Sequence, residues 1–436
     1  MLDPDFSGQP GETTGRYIAV FDDDEPNPLE VLAAGGLTRV LDTRDLTGAA
    51  SPDDEPWQGT YFAQLGMAVL TAQEAQLNTL RAQSTEPGRG MKLYPELIHH
   101  VLEPSTGRHR SAAAPDAAPG GSEGGTPVPP AEPTASFADT DQFTWGLQAT
   151  GVSTSAALGA GIKVAVLDTG FDIGHPDFAG RTVVTQSFVD GEDAQDGHGH
   201  GTHCIGTSCG PRSLESGRGY GIAAEADIYA GKVLGSSGSG GDAGILAGID
   251  WAITQGCAVI SMSLGADVAE VHPPYVAAGK RALAQGTLII VAAGNNAQRS
   301  AGNPGFVGTP ANSPYIMAVG AVDQTLAIAD FSARSGTADG GQVDVAGPGV
   351  DVYSSWPMPQ RYNTISGTSM ATPHAAGIAA LLAGTTGLRG RELWAELVQG
   401  CQRLEAASVD VGAGLVRAPQ DTTAAPDPGT PGDAPA

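Results

Sequence analysis

Basic side chains are scarce in this chain. Lysine and arginine number 22 against 48 aspartates and glutamates, a net charge of −26, and only four of the 22 are lysines. A surface dominated by carboxylates argues against nucleic acid and against anionic membranes as partners. A saline habitat and genome composition account for the excess equally well. Cysteine is scarce too: four in 436 residues are too few to staple a protein of this size. No Cys/His spacing reads as zinc. No apolar run approaches the roughly 18 residues of a membrane span. The opening Met1-Leu2-Asp3-Pro4-Asp5 lacks the basic and apolar stretches of a secretion signal. A genuine cytoplasmic start and an exported protein with its leader removed both fit, so the compartment stays open.

What is present can build a sizeable core. The chain is 41% hydrophobic with 62 glycines and 31 prolines, enough for one large domain, a small one and some linker. Tyr17–Phe21, a run from Tyr61 to Leu70, and Glu96–Pro104 read as strands, with a helical pattern over Ala72–Leu80. Residues 1–104 therefore form a small α+β domain. His99 and His100 point to opposite faces of the third strand, so at most one meets a core; they read as surface or interface histidines. Residues 105–136 are Pro, Gly, Ala, Ser and Thr with little apolar patterning, a linker open to proteolytic processing. Residues 420–436 form a similar tail. Between them, 137–419 alternate apolar strands with helices, as in a doubly wound, mostly parallel α/β sheet. The strands are Val164–Leu167, Ile228–Val233, Val259–Ser263, Leu288–Ala292 and Tyr315–Val319, with helices at Asp242–Thr254 and Pro273–Gln285.

Three stretches carry chemistry. Gly367-Thr368-Ser369-Met370-Ala371 follows a strand-like Arg361–Ile365 and opens an Ala-rich helical run. A serine there sits beside unpaired backbone N–H groups at a helix start. Alone, it reads equally as an N-cap. Asp168-Thr169-Gly170 ends a buried-type strand, where open α/β sheets place functional groups. His200-Gly201-Thr202-His203 follows about thirty residues later. Asp, His and Ser in this order are the order of subtilisin, itself the standard illustration of that arrangement. With all three motifs in sequence, the chain resembles the subtilisin-like serine proteases, the subtilase family, closest in flavour to proteinase-K-like members.

The resemblance implies a serine endopeptidase acting on polypeptides, made as a self-processing proenzyme. Ser369 is then the nucleophile, His200 the proton carrier, Asp168 its orienting carboxylate and Asn295, in Ala293-Gly294-Asn295, the oxyanion donor. The motif selects His200 over His198, read as solvated, and His203, read as a packed helical residue. Residues 1–104 resemble a propeptide, an intramolecular inhibitor whose tail lies in the cleft. Gly238-Ser239-Gly240 and Ser263-Leu264-Gly265 match the family's two peptide-binding edges. Asp242, Ile245 and Leu264 fall at the pocket for the fourth residue before the cut. That pocket is expected to be apolar below and negative at an exposed lip, with helix capping by Asp242 an equal alternative. Asn296 carries no charge, so a broad apolar preference is expected at the residue before the cut. Calcium is implied by Asp344, with the carbonyls of Pro314 and Ile316. The acidic loop Asp190, Glu192, Asp193 and Asp196 reads as solvated or as a second metal site. Cys204 reads as a free thiol packed beside His200, its side chain diverging from that of Cys209. A catalytically silent peptide-binding module is the alternative from another class.

Overall fold

A computed structural model of the chain describes residues 11–45, 57–84, 90–102, 136–215, 217–337 and 339–420. All but the last residue of the expected linker, and all but the first of the expected tail, lie outside them. The chain begins with β1 (Thr13–Phe21), α1 (Pro28–Ala34), β2 (Val40–Asp42), β3 (Gly59–Phe62), β4 (Met67–Leu70), α2 (Glu74–Ser84) and β5 (Met91–Val101). The expected single strand from Tyr61 to Leu70 is thus a hairpin. Leu65, in the turn, is fully buried and continues the apolar run across it, which hides the break.

The sheet runs β5-β1-β4-β3-β2, and all its pairs are antiparallel except β2 with β3. Its two faces separate by the period of two that a pleat imposes. Ala19, Phe21, Tyr61, Ala68 and Leu70 pack with Leu32 and Leu80 of α1 and α2. Ile18, Phe62, Met67 and Val69 instead join Ile245, Ile249, Tyr275 and Ala282 from helices later in the chain.

Those helices belong to the second region, which opens with α3 (Trp145–Ala149), β6 (Lys163–Asp168), β7 (Val183–Ser187), α4 (His200–Cys209) and β8 (Asp227–Lys232). It continues with β9 (Ser239–Gly241), α5 (Asp242–Thr254), β10 (Val259–Met262), β11 (Leu264–Gly265), α6 (Pro273–Ala284), β12 (Leu288–Ala292) and β13 (Met317–Val322). β14 (Val345–Pro348), β15 (Val352–Ser355), β16 (Tyr362–Ile365), α7 (Thr368–Thr386), α8 (Gly390–Gln399) and α9 (Ser408–Val411) complete it. Seven strands form one parallel sheet, in the order β14-β13-β12-β10-β6-β8-β7. From β8 the chain crosses over β6 to β10, which makes the end of β6 the point where strand order reverses. The chemistry of such sheets gathers at the carboxyl ends beside that reversal.

Helices cover both faces, as a parallel sheet requires. Val164 and Val166 of β6 pack with Ile205 of α4, with Ala375 and Ile378 of α7, and with Leu393 of α8. Ala165 and Leu167 face Leu246 and Ile249 of α5 on the other side. Helix α7 is buried around its circumference from Thr368 to Ala383, and its run of alanines suits that central place. No helix among the described residues is long and apolar enough to cross a membrane.

Candidate active site

Three local devices bring the chemistry-bearing residues together. The first is the end of β6. Asp168 is 1% exposed, and its Oδ1 accepts from its neighbour's backbone, Thr169 N (2.8 Å), and lies 2.8 Å from His200 Nδ1. The second is the start of α4, where His200 is the first helical residue. A Cβ on Gly201 would stand 2.3 Å from the carbonyl oxygen of Gly170, so only glycine lets α4 sit this close to β6.

Asp196 holds the junction. It accepts from Gly199 N (2.8 Å), His198 N (3.0 Å), Thr202 N (2.8 Å) and the Thr202 hydroxyl (2.7 Å), and from Thr169 Oγ1 (2.9 Å). Burial would raise its pKa, but these donors outweigh it and hold the carboxyl below the usual range. An acceptor with five donors is an anchor for the helix start. Its neighbour Glu192 pairs with Lys232 (3.2 Å) and takes the Ser236 hydroxyl (2.7 Å). Asp193 accepts from Gln195 N (3.0 Å), so three of the four acids in this loop are engaged by the protein.

The third device is the start of α7. Ser369 is its second residue and is fully buried. Pro373, four residues on, has no N–H to give to the Ser369 carbonyl. That oxygen instead accepts from Ser263 Oγ (2.7 Å) and Cys204 Sγ (3.6 Å). Asn295 is fixed by its own oxygen, which accepts from Thr368 N (2.9 Å) and Thr368 Oγ1 (2.8 Å), so its amide N–H group points the other way. Thr368 escaped the sequence reading; its place in Gly-Thr-Ser was the available signal.

Asn295 Nδ2 donates to the carbonyl oxygen of Leu102 (2.6 Å), and Ser369 Oγ donates to the same oxygen (3.0 Å) and to Ser263 O (3.3 Å). A Cβ on Gly367 would stand 3.1 Å from Asn295 Nδ2 and 3.3 Å from the Leu102 oxygen; its absence leaves this pocket open. His200 Nε2 and Asp168 Oδ2 are buried and have no hydrogen-bond partner among the described residues. Burial alone would depress the His200 pKa, but the Asp168 carboxylate outweighs it and holds it well above the ordinary value. His203 is buried with Nε2 on Val352 O (3.0 Å), and burial drops its pKa to about 3. Cys204 is a free, buried thiol 3.8 Å from His200 Nδ1. His198 is half-buried rather than solvated, with its ring against Gly238.

Leu102 arrives on an extended strand. β5 pairs antiparallel with β9 on one side (His99 with Gly240, His100 with Ser239) and with β11 on the other (Val101 with Leu264, His100 with Gly265). Val101 N also donates to Gly238 O (2.9 Å). Both expected peptide-binding edges thus hold the end of the N-terminal sheet. Ser263 differs, since its hydroxyl tethers the Ser369 backbone. The carbonyl presented to Ser369 lies upstream of the linker in which processing was expected.

Asp242 is corrected. It is 0% exposed rather than at a lip, and it does not cap its helix. Glu96 of β5 takes Ala243 N (2.8 Å) instead. Ile245 and Leu264 are fully buried in the apolar cluster that contains Tyr275. Away from the cleft, Asp344 accepts from Ala318 N (2.7 Å), and burial pushes its carboxyl up to about 7. Ile316, 28 residues before it in the chain and two after Pro314, is buried.

Comparison with known proteins decides the family. Residues 159–411 match the model of the subtilase family of peptidases. The chain belongs to the subtilase family. Over 238 residues this subtilase is 40% identical to Subtilisin DY of Bacillus licheniformis, covering 54% of this chain and 81% of that protein. It is 41% identical to Subtilisin Savinase of Lederbergia lenta over 243 residues, 55% of this chain and 83% of the relative. Against Subtilisin-like protease 2 of Pseudogymnoascus destructans the identity is 39% over 257 residues, 56% of this chain and 59% of the fungal protein. This subtilase is a subtilisin-like serine peptidase, and the residues that match the family model make up most of the parallel-sheet region.

Proposed function

We propose that the chain is a serine endopeptidase working through Ser369, His200, Asp168 and Asn295, and that the expected domain of residues 1–104 supplies its propeptide, which ends at Leu102, where it is cut. One observation carries the reading: a backbone carbonyl of the same chain has its oxygen within hydrogen-bond reach of both Ser369 Oγ and Asn295 Nδ2. The nucleophile and a donor for the developing charge thus meet at one peptide group.

Attack begins when Ser369 Oγ turns from the Leu102 and Ser263 oxygens toward His200 Nε2 and yields its proton there. The bond forms to the Leu102 carbonyl carbon, and the oxygen takes up negative charge. Asn295 Nδ2, with the Ser369 backbone N–H, receives that charge; a preorganised donor of this kind contributes about 3 kcal/mol, a magnitude established on subtilisin itself. Asp168 stabilises the imidazolium and keeps Nε2 aimed at the serine. Nε2 then hands its proton to the leaving amine, and water releases the acyl group by the same steps. Leucine before the cut agrees with an apolar preference there. The uncharged Asn296 is engaged with Asp267 Oδ1 (2.9 Å) and Phe306.

Full-length protein should convert to a species beginning at residue 103, whereas Ser369→Ala stays intact and unlabelled by fluorophosphonate. Processing of the alanine variant in a protease-free preparation would sink the proposal.

Calcium would be held by Asp344 with the carbonyls of Pro314 and Ile316. A buried carboxylate with one backbone donor and a pKa pushed up to about 7 is under-compensated, and a hard cation compensates such a group. Its contribution would be structural. Chelation should lower the melting temperature of wild type and leave Asp344→Asn unmoved; an equal shift in both removes Asp344 from the site.

A further inference from the structure

Counting back from Leu102, the fourth residue before the proposed cut is His99. It is 0% exposed, while His100 beside it is exposed. His99 Nε2 stands 2.7 Å from Asp242 Oδ1, and the same oxygen accepts from the Tyr275 hydroxyl (2.6 Å). The other oxygen, Oδ2, accepts from Leu97 N (2.7 Å) and has His272 Nε2 at 3.2 Å, off the line of a hydrogen bond. The Tyr275 ring meets the His99 ring edge to face at 5.5 Å and lies 6.0 Å from that of His272. Asp242, His272 and Tyr275 are all fully buried. Burial would raise the Asp242 pKa, but His99 and His272 outweigh it and hold the carboxyl well below its ordinary range.

We propose that this pocket selects histidine at the fourth residue before the cleaved bond, with Asp242 receiving its Nε2 and Tyr275 and His272 forming the walls. The inference rests on reading β5 as lying where substrates lie. Selection follows from what other side chains leave undone. Leucine fills space but removes a donor from a carboxylate buried away from water, and an unmade bond to a buried charge is costly. Glutamate would bring a second negative charge against the first. Arginine and lysine are long, flexible stems suited to a charge at a rim, whereas Asp242 is sealed from water once a strand lies where β5 lies. Imidazole is short and planar, and it can enter uncharged while still donating from Nε2.

The test uses enzyme obtained from the full-length chain after processing is complete. Matched peptides carry His, Nε2-methylhistidine, Leu, Arg or Glu at that residue. Histidine should exceed leucine and Nε2-methylhistidine in kcat/KM by about tenfold or more, and Asp242→Asn should bring the His-to-Leu ratio near one. Equal kcat/KM for histidine and its Nε2-methyl form in wild type overturns the proposal, whether or not the asparagine variant folds. Cleavage of all peptides without discrimination leaves the peptidase reading intact and removes only this inference. If nothing is cleaved, the peptidase reading fails, and hydrogen exchange in full-length Ser369→Ala still decides. There, His99→Leu should speed exchange at residues 98–101 and 239–241 by about tenfold or more while His100→Leu does not; equal exchange in the two variants overturns the proposal.

Discussion

Strands β10, β12 and β13 bury every side chain between helices of their own region. The N-terminal sheet covers only one face with its own helices and lends Ile18, Phe62, Met67 and Val69 to α5 and α6. The parallel sheet is thus complete in itself, while the smaller one becomes a two-sided layer only when docked. Polar contacts at the junction repeat the dependence. Arg281 of α6 donates to the Phe21 carbonyl (2.7 Å) and to that of Leu65, and Gln64 N donates to Asp250 of α5 (2.8 Å). A small domain short of core is marginal, and here one of the sheet's two faces is covered only by the neighbour.

The largest effect that would break this contrast is separation. Residues 1–104 alone should lack fixed tertiary structure, seen as absent near-ultraviolet dichroism and poorly dispersed amide resonances; a cooperative melt of the fragment would show the sheet to be self-sufficient. Within the intact Ser369→Ala chain, the two faces should respond separately. Leu80→Ala and Met67→Ala each cost about 2–5 kcal/mol. The first should speed hydrogen exchange in β1 and β4 without undocking β5, and the second should release β5 from β9 and β11. Identical exchange patterns would mean the faces are not distinct.

The smallest effect is a pH slope at the junction. Burial pushes the Asp250 carboxyl up to about 6, from an ordinary value near 3.8. The docked state therefore binds more protons than the separated state between about pH 4 and 6. Docking should be firmest below that window, weaken as pH rises through it and level off above. Asp250→Asn should flatten the slope, read as the pH dependence of the N-terminal sheet's exchange; an unchanged slope assigns it to other groups.

Legibility in the sequence followed the reach of each interaction. Asp168, His200, Ser369 and Asn295 stood in short motifs whose turns and helix starts are local, so their convergence could be expected. Five strands of the parallel sheet were legible as apolar runs, because burial on both faces leaves no alternation to misread; β14, four residues closed by Gly347 and Pro348, is buried too but was missed for want of such a run. β7, with its burial alternating between half-buried and exposed, offered no such run and was missed. Asp242 was misjudged because its partners, His99 and Tyr275, lie 143 and 33 residues away. Nothing in its neighbours shows that a strand from elsewhere will seal it from water. Asp196 was hidden otherwise: four of its five donors lie within six residues, but they assemble only in the turn that starts α4, and Thr169 alone is distant.

Pro373 has a consequence for the life of the chain before it is folded. With no N–H at that residue, the Ser369 carbonyl in the first turn of α7 is held by donors from Ser263, just after β10, and Cys204 of α4 rather than by its own helix. A nascent or damaged chain cannot preorganise Ser369 by forming an isolated helix, however favourable the alanines that follow. The reactive geometry exists only once three distant segments have met, so an incomplete polypeptide carries a chemically ordinary serine.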